Sequence, residues 1–241
     1  MTTNALSLAP IVSIADPAQV PGPGPVTGKH VTLERLAQKH FSDLYENIGL
    51  HPDLWTWWPD DAPSTAAQFD DYLVEFSNLM KEDLAVYAII LLSGPSKGKA
   101  AGLAMALSED RLTNRVGEMG FFFGPLLQRS RAGTEAVYLV CNLLFESNHR
   151  RVGWKTNSLN IQSRKAAERY GLSHEGTIRQ HQINKGRNRD TAFYGIIDSE
   201  WLVGKKAFEI WLDDENFDEH QRQKRRLEVV RGSLKENETS R

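Results

Sequence analysis

The chain has 241 residues, a formal net charge of −2 and one cysteine, Cys141. This length fits one large domain or one domain with tails. The near-neutral charge gives no global field that would attract nucleic acid or an anionic membrane. A single cysteine excludes a disulfide framework and a cysteine-based zinc site, and its mid-helix position predicts a small core residue. No segment approaches the roughly 20 apolar residues of a spanning helix.

The N-terminal part predicts an arm followed by a strand and two helices. Residues 1–27 are rich in Pro, Gly, Ala and Ser, which is typical of a flexible or loosely draped arm. Apolar and polar residues alternate over 30–36, which predicts the first strand. Apolar residues at helical spacing predict a helix over 39–48 and a second from an N-cap at Ser64 to Lys81.

A cluster of tryptophans separates these two helices. Trp55, Trp57 and Trp58 fall within four positions between Pro52 and Pro59. Such a cluster cannot form one face of a regular element. One interpretation is a lid of core-packing aromatic residues, and the other is an apolar wall of a substrate pocket.

The centre of the chain alternates between strands and helices. Strands are predicted over 84–92, 100–107, 116–123, 152–156, 173–184 and 191–197. Helices are predicted from Thr134 to about Asn148, from Asn160 to Gly171, and from about Ser199. This order predicts a mixed α/β (α+β) fold in which helices pack on a central sheet.

The loop over 127–134 carries Arg129, Arg131 and Gly133 directly before a predicted helix. A helix N-terminus offers free N–H groups and a partial positive charge, which favour a phosphate. The alternative interpretation is an ordinary strand-to-helix turn.

Residues 213–241 are dense in charge and include the basic run 223–226. The pattern favours a solvated helix or a disordered tail. A nuclear import signal or a weak nucleic-acid contact is the alternative. Interleaved acidic residues weaken that alternative, so we expect a cytoplasmic protein that has no nucleic-acid or membrane partner.

Several short segments and their order along the chain resemble the GNAT superfamily of acyl-CoA-dependent N-acetyltransferases. The similarity is greatest to the branch that contains the ribosomal-protein N-terminal alanine acetyltransferases. It covers about residues 28–202 and rests on residues 128–136, 150–155, 160–163, 166–171 and 185–191. The resemblance implies a mostly antiparallel sheet, an acetyltransferase domain over 28–212 and a separate charged segment over 213–241.

The resemblance also implies acetyl-CoA as cosubstrate and no metal. The pyrophosphate loop of the family matches at Gln128 and Gly133, but Arg131 replaces the inner glycine. Asn160 falls where the family bonds the pantetheine arm, and its alternative role is an N-cap. The residues expected around the cofactor are Phe122, Phe123, Gln128, Arg129, Arg131, Ala132, Gly133, Thr134, Asn160 and Ser163.

Direct attack of a neutral amine on the thioester needs a base. Glu118 is the first candidate, because this strand commonly supplies the base in the family and a half-buried carboxyl would have a raised pKa. Its alternative role is a surface charge or a partner for Arg115. Glu175 and Asp190 are weaker candidates.

The leaving thiolate needs a proton, and Ala167 stands where many GNAT enzymes carry a tyrosine acid. Ser163 or water would supply the proton instead, or catalysis would depend mainly on positioning. Tyr170 lies three residues farther along the chain. The oxyanion is expected at a backbone N–H near Phe122 and Phe123.

The expected reaction is acetyl transfer to a primary amine. The acceptor would be a small molecule, for which Trp55, Trp57 and Trp58 would form the apolar pocket. A protein N-terminus is the alternative acceptor. A hypothesis of another class is an inactive acyl-CoA-binding protein, motivated by the missing tyrosine and inner glycine. We expect a monomer or homodimer.

Overall fold

The computed structural model describes residues 9–22, 24–78, 84–109 and 111–239. The strands of its central sheet are β1 (Val26–Thr27), β2 (Val31–Arg35), β3 (Leu84–Leu91), β4 (Ala100–Glu109), β5 (Val116–Phe123), β6 (Arg151–Asn157), β7 (Ser173–Asn184) and β8 (Arg187–Ile197). Their spatial order is β1-β2-β3-β4-β5-β6-β8-β7. Only β5 and β6 are parallel neighbours in this sheet. The mostly antiparallel sheet expected from the sequence is confirmed.

Helices cover both faces of the sheet. They are α1 (Phe41–Leu44), α2 (Ala66–Asn78), α3 (Arg131–Glu146), α4 (Ile161–Tyr170), α5 (Asp198–Leu212) and α6 (Leu227–Thr239). A wider helical turn over Tyr45–Gly49 extends α1, and a 3-10 turn spans Pro52–Trp57. Among the described helices, none combines the length and apolar character needed to cross a membrane.

Strand β3 separates two hydrophobic cores, because its side chains are buried alternately on both faces. Tyr87 and Ile89 pack into the core formed with α3, α5 and α6, whereas Val86 and Ala88 pack into the core formed with α1, α2 and Trp55. Cys141 is buried in the first core, as the sequence predicted.

Two helices start at residues other than those predicted. Helix α3 begins at Arg131 rather than Thr134, because the Ser130 hydroxyl accepts a hydrogen bond from the Gly133 N–H at 2.8 Å and caps the helix. The hydroxyl of Thr65, rather than Ser64, caps α2 by accepting from Gln68 N–H at 3.2 Å. The predicted end of α2, at Lys81, lies outside the described residues.

The terminal segments pack on the sheet domain. In the N-terminal segment, Ala18 is buried and its N–H donates to the Leu112 carbonyl at 2.9 Å. In α6, Leu227 and Val230 are buried, and Arg231 donates to the Arg169 carbonyl at 2.8 Å. The charged C-terminal segment therefore has an apolar face against the body, and the domain limits at 27 and 212 stay a prediction.

The parallel strands β5 and β6 pair only over Val116–Glu118 and Arg151–Gly153. Beyond Glu118, β5 stays paired with β4 as far as Phe123, while β6 follows β8. The backbone edge of residues 119–123 therefore faces no strand on that side in the described part of the sheet. The two strands part like a wedge, and the loops at its wide end lead into α3 and α4.

Candidate active site

The loop before α3 is built from close backbone contacts. A Cβ added to Gly133 would lie 2.1 Å from the Leu127 carbonyl oxygen, so only glycine fits there. The Gln128 side chain donates to the Phe123 carbonyl at 3.2 Å. The N–H groups of Arg131 and Ala132 lie at the start of the helix, where no earlier turn offers an acceptor. These donors and the helix dipole make this end of α3 suitable for an anion.

The two arginines of this loop differ in position. The Arg131 guanidinium donates to the Leu212 carbonyl, lies 2.7 Å from Asp214 and packs over the Phe217 ring. Its charge is therefore held by the C-terminal segment rather than directed at the loop. Arg129 is exposed and adopts φ 54°, so the left-handed residue of this loop is Arg129 and not the residue at the family's inner glycine.

The Thr134 hydroxyl is part of the start of α3. It donates to the Ser130 carbonyl at 3.1 Å and accepts from Arg169 at 3.2 Å. Thr134 is buried, one turn inside the helix rather than at its first residue. The Thr134 hydroxyl therefore bonds the preceding turn of α3 and bridges α3 to α4, and it does not cap the helix.

Helix α4 begins at the edge of the wedge and presents two polar side chains. The Asn160 amide oxygen caps the helix by accepting from the Ser163 N–H at 3.0 Å, which leaves the amide NH₂ as a donor. The Ser163 hydroxyl oxygen accepts from Trp154 Nε1 at 3.0 Å, so its O–H can still donate. Ala167 is fully buried, and Tyr170 packs on Phe208 with its pKa raised by burial.

On the opposite face of the sheet, three charged side chains meet at the narrow end of the wedge. Glu118 on β5 lies across from Leu107 on β4, which brings it diagonally next to Glu109. Lys155 Nζ on β6 is 2.6 Å from the Glu118 carboxylate and also bonds Glu109. The two carboxyl groups are therefore neighbours that share Lys155 as a partner.

The protonation of this cluster follows from burial and from its charges. Burial raises the pKa of Glu118 to about 7; the Glu109 carboxyl acts in the same direction, and Lys155 opposes both. Burial acts to raise the pKa of Glu109 too, but its bonds to Glu118 and Lys155 outweigh this and lower the pKa. Of the two carboxyls, Glu118 therefore binds a proton more tightly, and a group with a pKa of about 7 can both accept and release a proton near neutral pH.

The other acidic candidates have structural partners. Glu175 forms a two-pronged ion pair with Arg151, in which Nη2 and Oε2 are 2.5 Å apart. Asp190 accepts from the Gln180 N–H at 2.7 Å, and this bond lowers its pKa. Arg115, the alternative partner expected for Glu118, instead donates to the carbonyl and side chain of Asn148.

The three tryptophans occupy three different environments. Trp55 is 1% exposed and packs edge-on against Phe122, with ring centroids 4.9 Å apart. Trp58 is half-buried and stacks on Phe122 at 4.4 Å, and its indole N–H donates to the Tyr72 hydroxyl at 2.5 Å. Trp57 is 40% exposed. Of the three tryptophans, only Trp58 is both half-buried and stacked on Phe122. Phe122 lies on the same face of β5 as Glu118.

The β7–β8 hairpin reaches the tryptophan segment. Its two-residue turn places Lys185 at φ 51° and Gly186 at φ 68°, which is the backbone of a primed hairpin turn. Lys185 Nζ donates to the Trp55 carbonyl at 2.7 Å and lies 3.6 Å from Asp61. The hairpin therefore bounds the Glu118 side of the wedge.

Sequence reasoning missed Glu109, Lys155 and Lys185 as members of this site. Only Glu109 had a usable signal, because pairing the strands around the 110–114 turn places it beside Glu118. Lys155 and Lys185 reach the site only because strands that are distant in sequence pair in the sheet.

Comparisons with known proteins agree with this fold. Residues 30–173 match the family model described as acetyltransferase (GNAT) domain. A GCN5-related N-acetyltransferase from Brucella melitensis is 36% identical with a TM-score of 0.83, covering 90% of this chain and 98% of that one. A GNAT-family protein from Chromobacterium violaceum ATCC 12472 is 27% identical with a TM-score of 0.73, covering 83% and 99%.

A more distant structure, the microcin C7 self-immunity acetyltransferase MccE in complex with acetyl-CoA and AMP, shares the fold. It is 21% identical with a TM-score of 0.59, covering 70% of this chain and 93% of that one. No curated protein matches the chain. The family model and the Brucella relative together show that the chain belongs to the GNAT acetyltransferase family and is an N-acetyltransferase.

Proposed function

We propose that this enzyme transfers the acetyl group of acetyl-CoA to the primary amine of a small molecule. The observation that carries the proposal is the Glu118 carboxyl at the narrow end of the wedge, with a pKa raised to about 7 by burial. An attacking amine must lose a proton, and a base with a pKa near the working pH is best suited to take it.

The residues of the wedge fit acetyl-CoA, which supplies the activated thioester. The free N–H groups at the start of α3, with the close approach that Gly133 allows, would bind the pyrophosphate. Arg129 is exposed beside them and would add a positive charge. The Asn160 NH₂ and the unpaired edge of β5 would bind the amide groups of the pantetheine arm.

The side chains on the opposite face would activate the amine. Glu118 accepts the proton of the incoming ammonium, while Lys155 and Glu109 position the carboxylate and set its pKa. A backbone N–H near Phe122 or Phe123, on the unpaired edge, stabilises the oxyanion. The Ser163 O–H donates to the leaving thiolate, in the absence of a tyrosine at Ala167.

The acceptor side supports a small substrate. Trp58 and Phe122 form an aromatic surface there, and Lys185 ties the β7–β8 hairpin to the tryptophan segment. An aromatic surface beside a charged cluster suits a small amine. A protein N-terminus is the second candidate acceptor, supported by the family branch that the sequence resembles.

The test is release of free thiol from acetyl-CoA in the presence of a panel of small amines, amino acids and peptides, with mass spectrometry of the acetylated product. We expect small amines to be acetylated faster than peptides. Acetylation of peptides alone would replace the small-molecule assignment. Binding of acetyl-CoA without thiol release from any acceptor would instead identify an inactive acyl-CoA-binding protein.

A further inference from the structure

Arg189 lies on the acceptor side of the wedge, and no step of the proposed reaction uses it. It stands on β8 at alternate positions from Thr191 and Phe193, so the three side chains share one face of the strand. The Phe193 ring is 5.5 Å from Lys155 Nζ, in the cluster that holds Glu118. The face of β8 that carries Arg189 is therefore the face that borders the proposed base.

One donor of the Arg189 guanidinium has no partner among the described residues. Its Nε is buried and has no hydrogen-bond partner within the part of the chain that the structure describes. Its Nη1 lies 3.1 Å from the Asn184 side-chain oxygen when that amide is oriented with oxygen toward it. Burial lowers the pKa of Arg189, and Glu118 is the carboxylate whose charge opposes this. Arg189 as a whole is half-buried, and a buried donor that lacks a partner is costly for the folded state.

The neighbouring charges are already engaged. Lys155 bonds both Glu109 and Glu118. Lys185 bonds the Trp55 carbonyl. Asp190, next to Arg189 in sequence, accepts from Gln180 and Asn188 instead.

Among the described residues, no carboxylate lies within ion-pair distance of Arg189. The buried Nε thus faces the acceptor side with an unused donor.

We propose that Arg189 binds a carboxylate carried by the acceptor, so that the preferred acceptors are amines with a carboxylate group, such as free amino acids. This inference rests on the proposed acetyl transfer. The planar guanidinium offers paired donors that match a carboxylate, and bound substrate supplies the missing counter-ion. The acceptor then lies with its amine toward Glu118 and its carboxylate toward Arg189.

The kinetic test compares amino acids with the corresponding amino-acid amides. For the wild type, we expect KM to be lower for the acids. In Arg189→Met, kcat/KM for the acids should fall roughly tenfold or more, with little change for the amides. Each substrate is compared between the wild type and the variant. The difference in amine pKa between acids and amides therefore does not affect the result. Arg189→Lys should lose part of the preference, since a lysine keeps the charge without the planar fork.

The control is Arg179→Met, which removes an exposed arginine from β7 whose charge acts on Asp190. It should keep the wild-type ratio of acid to amide. Equal losses for acids and amides in Arg189→Met, or the same ratio in both variants, would overturn the inference. Melting temperatures of the variants identify a loss that is due to misfolding.

A binding measurement keeps the inference testable even if no tested amine is acetylated. Calorimetry with the CoA-bound wild type should show tighter binding of N-acetyl amino acids than of N-acetyl amino-acid amides, and Arg189→Met should remove the difference. Equal binding of both by the wild type would overturn the carboxylate site while leaving acetyl transfer intact. Failure of thiol release with preserved discrimination would instead overturn only the proposed activity.

Discussion

The two sides of the β5–β6 wedge are built in different ways. The proposed cofactor side consists of backbone N–H groups at helix starts that short-range caps hold in place, Ser130 at α3 and Asn160 at α4. On the acceptor side, they are side chains from β4, β5, β6 and β8, far apart in sequence. The cofactor side thus depends on local structure, whereas the acceptor side depends on tertiary pairing and on ionisation.

The largest expected effect is on the acceptor side. Glu118→Gln should lower kcat/KM by about a hundredfold, because a positioned base contributes roughly that much. The KM for acetyl-CoA should stay unchanged, since the residue lies on the other face. The control is Glu175→Gln, which removes a carboxylate already paired with Arg151. Wild-type rates in Glu118→Gln would show that Glu118 is not the base.

The second effect is on the cofactor side and separates two roles of Asn160. Asn160→Ala removes both the capping oxygen and the NH₂ donor, whereas Asn160→Asp keeps a capping oxygen. If the NH₂ binds the pantetheine arm, both variants should raise the KM for acetyl-CoA about tenfold. This corresponds to the loss of about one or two kcal/mol of binding free energy. Only the alanine variant should lose stability. A normal KM in Asn160→Asp would leave the cap as the only role.

The tryptophans give a smaller effect that is specific for the acceptor. Trp58→Ala should raise the KM for the amine roughly fivefold, about 1 kcal/mol, because it removes the ring stacked on Phe122. Trp57→Ala is the matched control, since Trp57 is 40% exposed. Steady-state kinetics with each substrate varied would measure this. Equal effects of both changes would contradict the assignment of Trp58 to the pocket.

The pH profile tests the charges around Glu118. The base must be unprotonated, so kcat/KM should fall as pH falls through its pKa of about 7. Lys155→Met removes a cation that lowers this pKa, and should move the acidic limb up by about one pH unit. Glu109→Gln removes a carboxyl that raises it, and should move the limb down. Shifts in the same direction would contradict the proposed cluster.

The smallest effect is on stability. Ser130→Ala should lower the free energy of unfolding by about 1 kcal/mol, because it removes the cap of α3. Ser64→Ala is the control, since the cap of α2 comes from Thr65. Urea denaturation measures both. An unchanged midpoint for Ser130→Ala would show that the helix start is held by other contacts, such as that of Gly133 on Leu127.

The sequence predicted the fold well, because alternating and helical periods mark the elements locally and the family resemblance orders them. Predicted strands such as 116–123 coincide with β5. Element ends were less accurate, since Ser130 and Thr65 cap helices whose starts were assigned to other residues.

The two sides of the wedge also differ in how many of their site residues could be predicted from the sequence. Asn160 and Ser163 could be placed from the sequence, because they lie within one turn of one helix. Lys155, Lys185 and Arg189 could not, because they come together only when β6 and the β7–β8 hairpin pair with the sheet. The engagement of Arg131 by Asp214 also depends on a contact that sequence spacing does not reveal.

The short pairing of β5 with β6 has a consequence for the energetics of the whole molecule. In the described part of the chain, backbone hydrogen bonds join strands β1–β5 to strands β6–β8 only near Val116–Glu118 and Arg151–Gly153. Acetyl-CoA bound at the open edge of β5, as proposed, would link these two halves. Such a ligand would stabilise the native state in proportion to the logarithm of its concentration, so the resistance of this protein to unfolding would depend on the supply of its acyl donor.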